Sequence, residues 1–392
     1  MISRLTVICL GLSQLTCWGL SYYLVGALGP AMIADLGWRS ETVHGGFSAA
    51  LLVMGLASPL VGRLIDRRGG RASMTAGSLL LAVGCGWLGL AESVSSYYGA
   101  WLLLGVAMRL TLYDAAFAAL AHIGGTGAKR PIAHVTLLGG LASTVFWPFG
   151  VALAETLGWR GAVFVYAGCA LLTIPLHLAI PGGRGKAAHV PEAPEHRPLA
   201  AAGRDRLIAG GLYALIATVA NLLNAGLSAH MVGMLTGLGL SAALAVWVAS
   251  LRGIGQSLAR LCEVLFGRNL APLNLNLLAA LILPLCFLTG LFSAQFLMAA
   301  VAFAFFYGAG NGLLTITRGT LPLTLFDHRT YGSFVGKLLV PSFLFSAAGP
   351  VIYAFVIERY SEAGALYLSF GLATVILIAA GILKWRFASP NI

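Results

Sequence analysis

Charged residues are scarce in this chain, since only 9% of its 392 residues are Asp, Glu, Lys or Arg. A soluble domain carries about 25%. Hydrophobic residues make up 59% of the sequence, and the mean hydropathy is +0.89. A water-soluble fold of this composition would have too little polar surface to cover itself, so the composition excludes the soluble globular classes.

Motifs for nucleotide or metal chemistry are also missing. No G-x-x-x-x-G-K-[ST] sequence occurs, and no serine–histidine or metal-hydrolase constellation is present. We therefore predict a protein that is not an enzyme and needs no cofactor or resident metal. The six cysteines lie in apolar stretches and form no C-x-x-C pair, which favours a packing role. A metalloid site would need several of them to converge, and the sequence leaves that open.

Long apolar stretches, in contrast, fill the chain almost from end to end. About 20 apolar residues cross the hydrocarbon core of a bilayer as a helix. Such stretches occur at roughly 5–30, 43–63, 72–91, 97–120, 133–154, 161–180, 207–235, 241–265, 272–292, 295–317, 333–356 and 363–384. The sequence predicts an all-α membrane protein with twelve transmembrane helices, whose main surrounding partner is the lipid bilayer.

One long polar segment divides these stretches into two sets of six. It spans residues 181–206 and contains Pro191, Pro194 and Pro198 among mixed charges, which is typical of a flexible linker. We predict an N-terminal six-helix bundle over 1–180 and a C-terminal one over 207–392. Two sets of six spans on either side of a linker are consistent with a duplicated transporter, in which a binding site would lie near the midplane between the halves.

The net charge of +11 is distributed unevenly across the predicted membrane. Most Lys and Arg residues fall in loops on one side, whereas Arg39, Arg160 and Arg359 fall on the other. This positive-inside bias predicts that both termini are cytoplasmic. No basic face remains outside these loops, so we expect no nucleic-acid partner.

The loop between the second and third stretches reads GRLIDRRGGR, from Gly62 to Arg71. It resembles the loop signature of the major facilitator superfamily at Gly62, Asp66, Arg67 and Arg71. The resemblance implies two six-helix bundles, alternating access, and a gating role for these four residues. The alternative is that the loop arginines only anchor the topology.

Several other stretches resemble bacterial members of the monocarboxylate-transporter-like branch, which implies a bacterial inner-membrane location. These are SQLTCWGLSYY, LYDAAFAAL, TLLGGLASTVFWPFG, LSAHM and RGTLPLTLF. Arg252 resembles the arginine of the eighth helix that binds the substrate carboxylate in that branch. The aspartate found four residues earlier in those proteins is Val248 here, so the resemblance does not extend to that proton-coupling scheme.

Charges inside apolar stretches are costly, by roughly 2.5–3.5 kcal/mol each, and should face a cavity or a partner. Arg252, Gln256, Arg260 and Glu263 form one stripe of the eighth helix. Arg252 and Gln256 are therefore candidates for substrate binding, and Arg260 is expected to pair with Glu263. The competing interpretation is that these arginines are structural.

The fourth stretch carries two further charges, Arg109 and Asp114. They stand about 140° apart on an ideal helix, so we expect them not to pair along it. Arg109 is a candidate substrate ligand. Asp114 is a candidate for either proton coupling or a gating salt bridge.

Polar and aromatic stripes complete the candidate site. Gln14, Trp18 and Tyr22 recur every fourth residue of the first helix, and Asn221, Asn224 and Ser228 share one face of the seventh. Of these, Gln14, Trp18, Tyr22 and Asn224 are predicted to bind substrate, together with Trp147 of the fifth helix. Aromatic stripes also arise from ordinary packing. His230 lies roughly opposite Asn221 and is a second proton-coupling candidate.

These features predict a secondary transporter, monomeric, that moves a small anionic or zwitterionic solute, coupled to protons. Arg109 and Arg252 favour a negatively charged group on the substrate. Two alternatives stay open. One is an exporter of drugs, metabolites or metalloids whose arginines are structural. The other is a membrane receptor or sensor on a transporter scaffold.

Overall fold

The computed structural model describes residues 2–124, 128–182, 199–200, 203–267, 270–326 and 337–388, in which helices form all the regular structure. The first half of the chain contains α1 (Arg4–Cys17), a π-helical turn (Trp18–Tyr22), α2 (Leu24–Leu36), α3 (Ser40–Arg68), α4 (Gly70–Gly89), α5 (Val94–Thr111), α6 (Tyr113–Gly124), α7 (Lys129–Gly140) and α8 (Ala142–Leu178). The second half contains α9 (Gly203–Gly237), α10 (Ala242–Phe266), α11 (Pro272–Gly290), α12 (Leu297–Leu325) and α13 (Val340–Phe387).

Ten helical segments of the described residues are long and apolar enough to cross a membrane. Two of them, Arg130–Leu178 and Val340–Phe387, have 49 and 48 residues. A straight helix of that length measures about 70 Å, which is more than twice the hydrocarbon core. Each is interrupted by a left-handed residue, Gly158 with φ 70° and Ser361 with φ 64°. Twelve crossings remain a prediction, and these two interruptions favour it.

Two irregularities redirect side chains in the first half. The π-helical turn Trp18–Tyr22 holds one residue more than an α-helical turn, and it leaves Tyr22 and Tyr23 both buried. Between α5 and α6 the backbone at Leu112 is extended, with ψ −176°, so the fourth apolar stretch is two helices with a break.

Four helix pairs of the described residues join the two halves of the chain: α3 packs on α13, α2 on α9, and α10 on both α7 and α8. Successive membrane helices run in opposite directions, so their termini gather at two opposite ends of the molecule. We call them the Arg4 end, where α1 begins, and the Ser40 end, where α3 begins. Under the positive-inside prediction, the Arg4 end faces the cytoplasm.

Glycines bring α10 into backbone contact with its neighbours. A Cβ added at Gly255 of α10 would overlap the carbonyl oxygen of Phe305 in α12, and one added at Gly308 of α12 would overlap the carbonyl oxygen of Arg252. On another face, a Cβ at Gly253 would lie 3.0 Å from the carbonyl oxygen of Gly140 in α7. Small residues permit this approach between helices in lipid.

Large apolar side chains are exposed on the outside of the helices, among them Leu56, Leu172, Phe266 and Trp385. Exposed apolar surface of this extent marks a membrane or interaction surface. The polar side chains that carry chemistry lie in the interior, between the two halves.

Candidate functional site

Arg252 lies at the centre of the molecule and is completely buried. Its Nη1 donates to Ser228 Oγ at 3.0 Å, and its Nη2 donates to Asn224 Oδ1 at 2.5 Å. Its Nε has no hydrogen-bond partner. Among the described residues no carboxylate forms an ion pair with it, so both hydrogen-bonding partners of this cation are neutral.

Aromatic rings surround the guanidinium of Arg252. Its Cζ lies 4.9 Å from the ring centre of Tyr307, 5.4 Å from that of Tyr23 and 5.8 Å from that of Trp147. The negative faces of such rings attract a cation. The Trp147 indole nitrogen and the Tyr307 hydroxyl are buried without a hydrogen-bond partner. The centre therefore offers unused polar groups between apolar walls.

Asn224 connects the two halves at this point. Its Nδ2 donates to the Tyr22 hydroxyl at 3.1 Å, and its Oδ1 also accepts from Asn311 Nδ2 at 3.1 Å. Trp18 packs on Tyr22 with ring centres 4.7 Å apart. The structure thus brings together four sequence candidates, Arg252, Asn224, Tyr22 and Trp147, with Trp18 beside them.

Gln14 and Gln256 are buried but lie outside this cluster. Gln14 Nε2 donates to the carbonyl oxygen of Thr111 at 2.7 Å, a contact within the first half. The Oε1 atoms of both glutamines lack hydrogen-bond partners. Gln256 lies close to Gly312 of α12, one turn from Arg252 toward the Arg4 end.

The expected pair of Arg260 and Glu263 is wrong. Arg260 is completely buried and donates to the Tyr113 hydroxyl at 3.3 Å, to the carbonyl oxygen of Gly312 at 3.4 Å and to that of Thr136. Glu263 stays partly exposed. The guanidinium turns inward because these buried oxygens need donors, and it thereby joins the two halves near the Arg4 end.

The expectation that Arg109 and Asp114 do not pair is also wrong. Arg109 Nη1 lies 3.9 Å from Asp114 Oδ2, because the extended backbone at Leu112 breaks the helical register between them. The other carboxylate oxygen of Asp114 accepts from Arg318 Nη2 at 3.4 Å. Asp114 therefore joins a buried arginine of its own half to an arginine of the opposite half.

A cavity of about 30 Å³ lies beside Arg318, toward the Arg4 end. We call it the Arg318 pocket. Its lining includes Asn221, Asn276, Asn311, Thr317 and Arg318. Asn221 Oδ1 accepts from Arg318 Nη1 at 3.3 Å, and Asn276 Oδ1 accepts from Thr317 Oγ1 at 3.1 Å. Asn276 is buried, and its Nδ2 has no hydrogen-bond partner.

His230 lies away from Arg252, toward the Ser40 end. Its ring stacks on that of His44 in the first half, with ring centres 4.0 Å apart. His230 Nε2 contacts the carbonyl oxygen of Pro350 at 2.7 Å, and His44 Nδ1 contacts that of Ser40 at 2.8 Å. The pair joins the two halves toward the Ser40 end of their interface.

Sequence reasoning did not single out Tyr23, His44, Tyr307, Asn311 and Arg318 as site residues. The predicted tenth apolar stretch ends at 317, one residue before Arg318, whereas α12 continues to Leu325. The sequence feature that could have indicated a functional role for Arg318 is its position at the start of the family-like segment RGTLPLTLF. The four-residue period of Gln14, Trp18 and Tyr22 does not include Tyr23, and the π-helical turn that changes this period cannot be recognised from the sequence.

The loop residues predicted to gate are described only in part. The side chains of Asp66 and Arg67 lie outside the described residues. Arg71 Nε donates to the carbonyl oxygen of Ile180 at 2.5 Å, which joins the start of α4 to the segment after α8. Gly62 has open space around its Cα, so its predicted role receives no support from a close contact.

The described residues contain no group of three or more His, Cys, Asp or Glu side chains that could hold a metal ion. All six cysteines are free, and four of them are buried.

Comparison with known proteins identifies the family. The sequence profile of the Major Facilitator Superfamily matches residues 10–336. The chain belongs to the major facilitator superfamily. It is a transporter and not an enzyme, as its composition and motifs predicted, and its long apolar helices make it a multi-pass membrane protein.

Two relatives of this facilitator are named for a substrate class. Monocarboxylate transporter 11 of Homo sapiens is 30% identical over 274 residues, which cover 65% of this chain and 55% of the human protein. Monocarboxylate transporter 11 of Mus musculus is 32% identical over 195 residues, covering 47% of this chain and 42% of the mouse protein. The chain thus spans about half the length of the curated relatives it matches. The facilitator is monocarboxylate-transporter-like in its sequence.

Proposed function

We propose that this facilitator transports a small organic anion of the monocarboxylate class by alternating access. The observation that carries the proposal is the burial of Arg252 without an acidic partner among the described residues. A buried charge without a counter-charge is strongly destabilising. A substrate carboxylate supplies the missing negative charge.

The geometry around Arg252 suits a carboxylate with an apolar remainder. A guanidinium grips a carboxylate with two parallel hydrogen bonds, and the Nε of Arg252 is available for one of them. The rings of Tyr23, Trp147 and Tyr307 provide the apolar walls. A zwitterion is less suited, because its ammonium group would compete with Arg252 for the same ring faces. The names of the human and mouse relatives support the same class.

Proton coupling belongs to this proposal, with Asp114 as its first residue. Asp114 holds Arg318 across the interface and contacts Arg109. Protonation would remove the charge that holds Arg318, so the two halves would separate more easily at the Arg4 end. His230, stacked on His44 at the Ser40 end, is the second candidate.

The remaining parts of the proposal follow the sequence predictions. We place a monomeric chain of two six-helix bundles in a bacterial inner membrane, with both termini and the Arg4 end in the cytoplasm. Asp66 and Arg67 of the GRLIDRRGGR loop control the conformational equilibrium there, together with Gly62 and Arg71. The contact of Arg71 with the carbonyl oxygen of Ile180 supports this role, because it ties the start of α4 to the segment after α8.

Binding to purified protein in lipid nanodiscs tests the central claim. The tryptophan fluorescence of the protein reports on the site, because Trp147 lies next to Arg252. A titration panel contains acetate, propionate, benzoate, succinate, alanine and tetramethylammonium. Monocarboxylates should bind and the cation should not. Arg252→Ala should weaken carboxylate binding by about 100-fold or more, since it removes a buried hydrogen-bonded charge.

The matched control is Arg359→Ala, which removes an exposed arginine and should leave binding unchanged. Unaltered carboxylate affinity in folded Arg252→Ala would refute the role of Arg252. Flux of the best ligand in proteoliposomes then distinguishes a transporter from a receptor or sensor. Preferred binding of drugs or arsenite over every carboxylate would favour the exporter alternative with structural arginines.

A further inference from the structure

The Arg318 pocket contains one donor that lacks an acceptor, the Nδ2 of Asn276, and an arginine that pairs with Asp114 as its only acid among the described residues. Asn276 is buried with a free amide nitrogen, and Arg318 lines the same cavity. Buried polar groups without partners are uncommon in proteins and call for a water, an ion or a ligand. A cavity of about 30 Å³ has room for about two water oxygens or for the two oxygens of a carboxylate.

The Arg318 pocket lies about one helical turn of α9 away from Arg252. Asn224 accepts from Arg252, and Asn221 accepts from Arg318. The two asparagines are three residues apart on one helix, which separates them by about 4.5 Å along its axis. Asn311 links the two places directly, because it donates to Asn224 and also lines the Arg318 pocket.

We infer that the Arg318 pocket is a second binding subsite for the carboxylate of the transported anion, occupied between Arg252 and the Arg4 end. The inference rests on the proposed function for the identity of the anion. Beyond the proposed function, it assigns a second anion site, places that site between Arg252 and the Arg4 end, and names the carboxylate of Asp114 as the group that competes with the anion for Arg318.

The interior carries more positive than negative side chains, and this excess would allow an anion to bind at more than one position. Arg109, Arg252, Arg260 and Arg318 lie between the halves or against them, and Asp114 is the acid that the described structure places among them. One substrate carboxylate at Arg252 still leaves an excess of positive charge toward the Arg4 end. An excess of one sign in a cleft attracts ions of the other sign.

Asp114 holds Arg318 by a contact of 3.4 Å, which is long for a charged hydrogen bond. A substrate carboxylate arriving from Arg252 competes for the same guanidinium nitrogen. When it binds there, Asp114 loses its contact with the second half, and the two halves are joined by one ion pair fewer. Arrival of the anion thereby favours opening of the Arg4 end.

The test measures acetate binding by isothermal titration in nanodiscs, in a background where the central site has been removed. Arg252→Ala should retain a weak acetate site. Adding Asp114→Asn should strengthen that residual site by about tenfold, because the competing carboxylate is gone. Adding Arg318→Gln should abolish it. Arg252→Ala with Arg359→Gln is the control and should retain the weak site unchanged.

The outcomes separate this inference from the proposed function. If residual binding is absent, or is insensitive to both Asp114→Asn and Arg318→Gln, the pocket holds only water and the inference is wrong. If Arg252→Ala binds acetate as tightly as the wild type while Arg318→Gln abolishes binding, the proposed role of Arg252 fails and the pocket remains. Should Arg252→Ala not fold, saturating acetate provides the same comparison: the wild-type chain should bind two acetates and Arg318→Gln one.

Discussion

The imidazole rings of His44 and His230 stack face to face across the two halves of the chain, with ring centres 4.0 Å apart and planes inclined by 25°. Each ring is fixed by a backbone carbonyl oxygen of a helix in its own half, Ser40 for His44 and Pro350 for His230. This stack is the point at which α3 and α9 meet near the Ser40 end. Its removal should affect the opening of that end more than the binding of substrate.

We predict that His230→Ala favours opening of the Ser40 end by about fivefold, since a stacked aromatic pair contributes about 1 kcal/mol. The measurement is the rate at which a water-soluble maleimide labels a cysteine placed by Ser48→Cys, in a chain whose exposed Cys262 is replaced. Ser48 is buried one turn below His44. His177→Ala, which removes a buried histidine within the first half, should not raise the rate. Equal labelling of the His230 variant and its parent would contradict the prediction.

Gly26→Val should prevent the Ser40 end from closing. A Cβ at Gly26 would overlap the backbone carbonyl oxygen of Ser228 in the opposite half, and a backbone atom has no rotamer with which to move away. We expect transport to fall at least tenfold while the protein remains folded, because overpacking typically costs 1–3 kcal/mol. Gly86→Val is the matched control in α4, where the added side chain meets open space. Wild-type flux in Gly26→Val would show that the halves do not need this contact.

Arg260→Met should loosen the Arg4 end without unfolding the protein. The substitution removes the donors to Tyr113, Thr136 and Gly312, which join α10 to both halves. It also removes a buried charge that has no acid beside it among the described residues, and the relief of that buried charge offsets part of the lost hydrogen bonding. Maleimide labelling of Thr315→Cys, in the lining of the Arg318 pocket, should rise several-fold. Exposed Arg359→Met is the control, and a loss of folded protein in the Arg260 variant alone would reveal a structural role instead.

Asp114→Asn should separate exchange from accumulation. The amide is uncharged at every pH, so Arg318 is no longer held by a charge that a proton can remove. Proteoliposomes with a pH gradient should lose substrate accumulation, whereas exchange of labelled for unlabelled substrate should continue within a few-fold of the wild-type rate. If accumulation persists at the wild-type rate, Asp114 does not couple protons and His230 becomes the residue to test.

The sequence was sufficient to predict the helical membrane fold and the central place of Arg252, because hydropathy and the cost of a buried charge both act locally. It was insufficient wherever the backbone departs from an ideal helix. The break at Leu112 brings Arg109 to Asp114, and the π-helical turn turns Tyr23 inward beside Tyr22. Arg260 was misassigned because its partners are carbonyl oxygens of distant helices, which leave no pattern in the sequence.

The glycine contacts between α10 and α12 have a consequence for how the proposed anion would travel through the molecule. Gly255 and Gly308 place the two backbones in direct contact, so at these two points no side chain can change rotamer to let the helices shift. We therefore expect Arg252 on α10 and Arg318 on α12 to keep a constant separation when the halves rearrange. A substrate cannot be handed from one arginine to the other by relative movement of their helices. It has to diffuse that distance itself, and its transit time then depends on its own size.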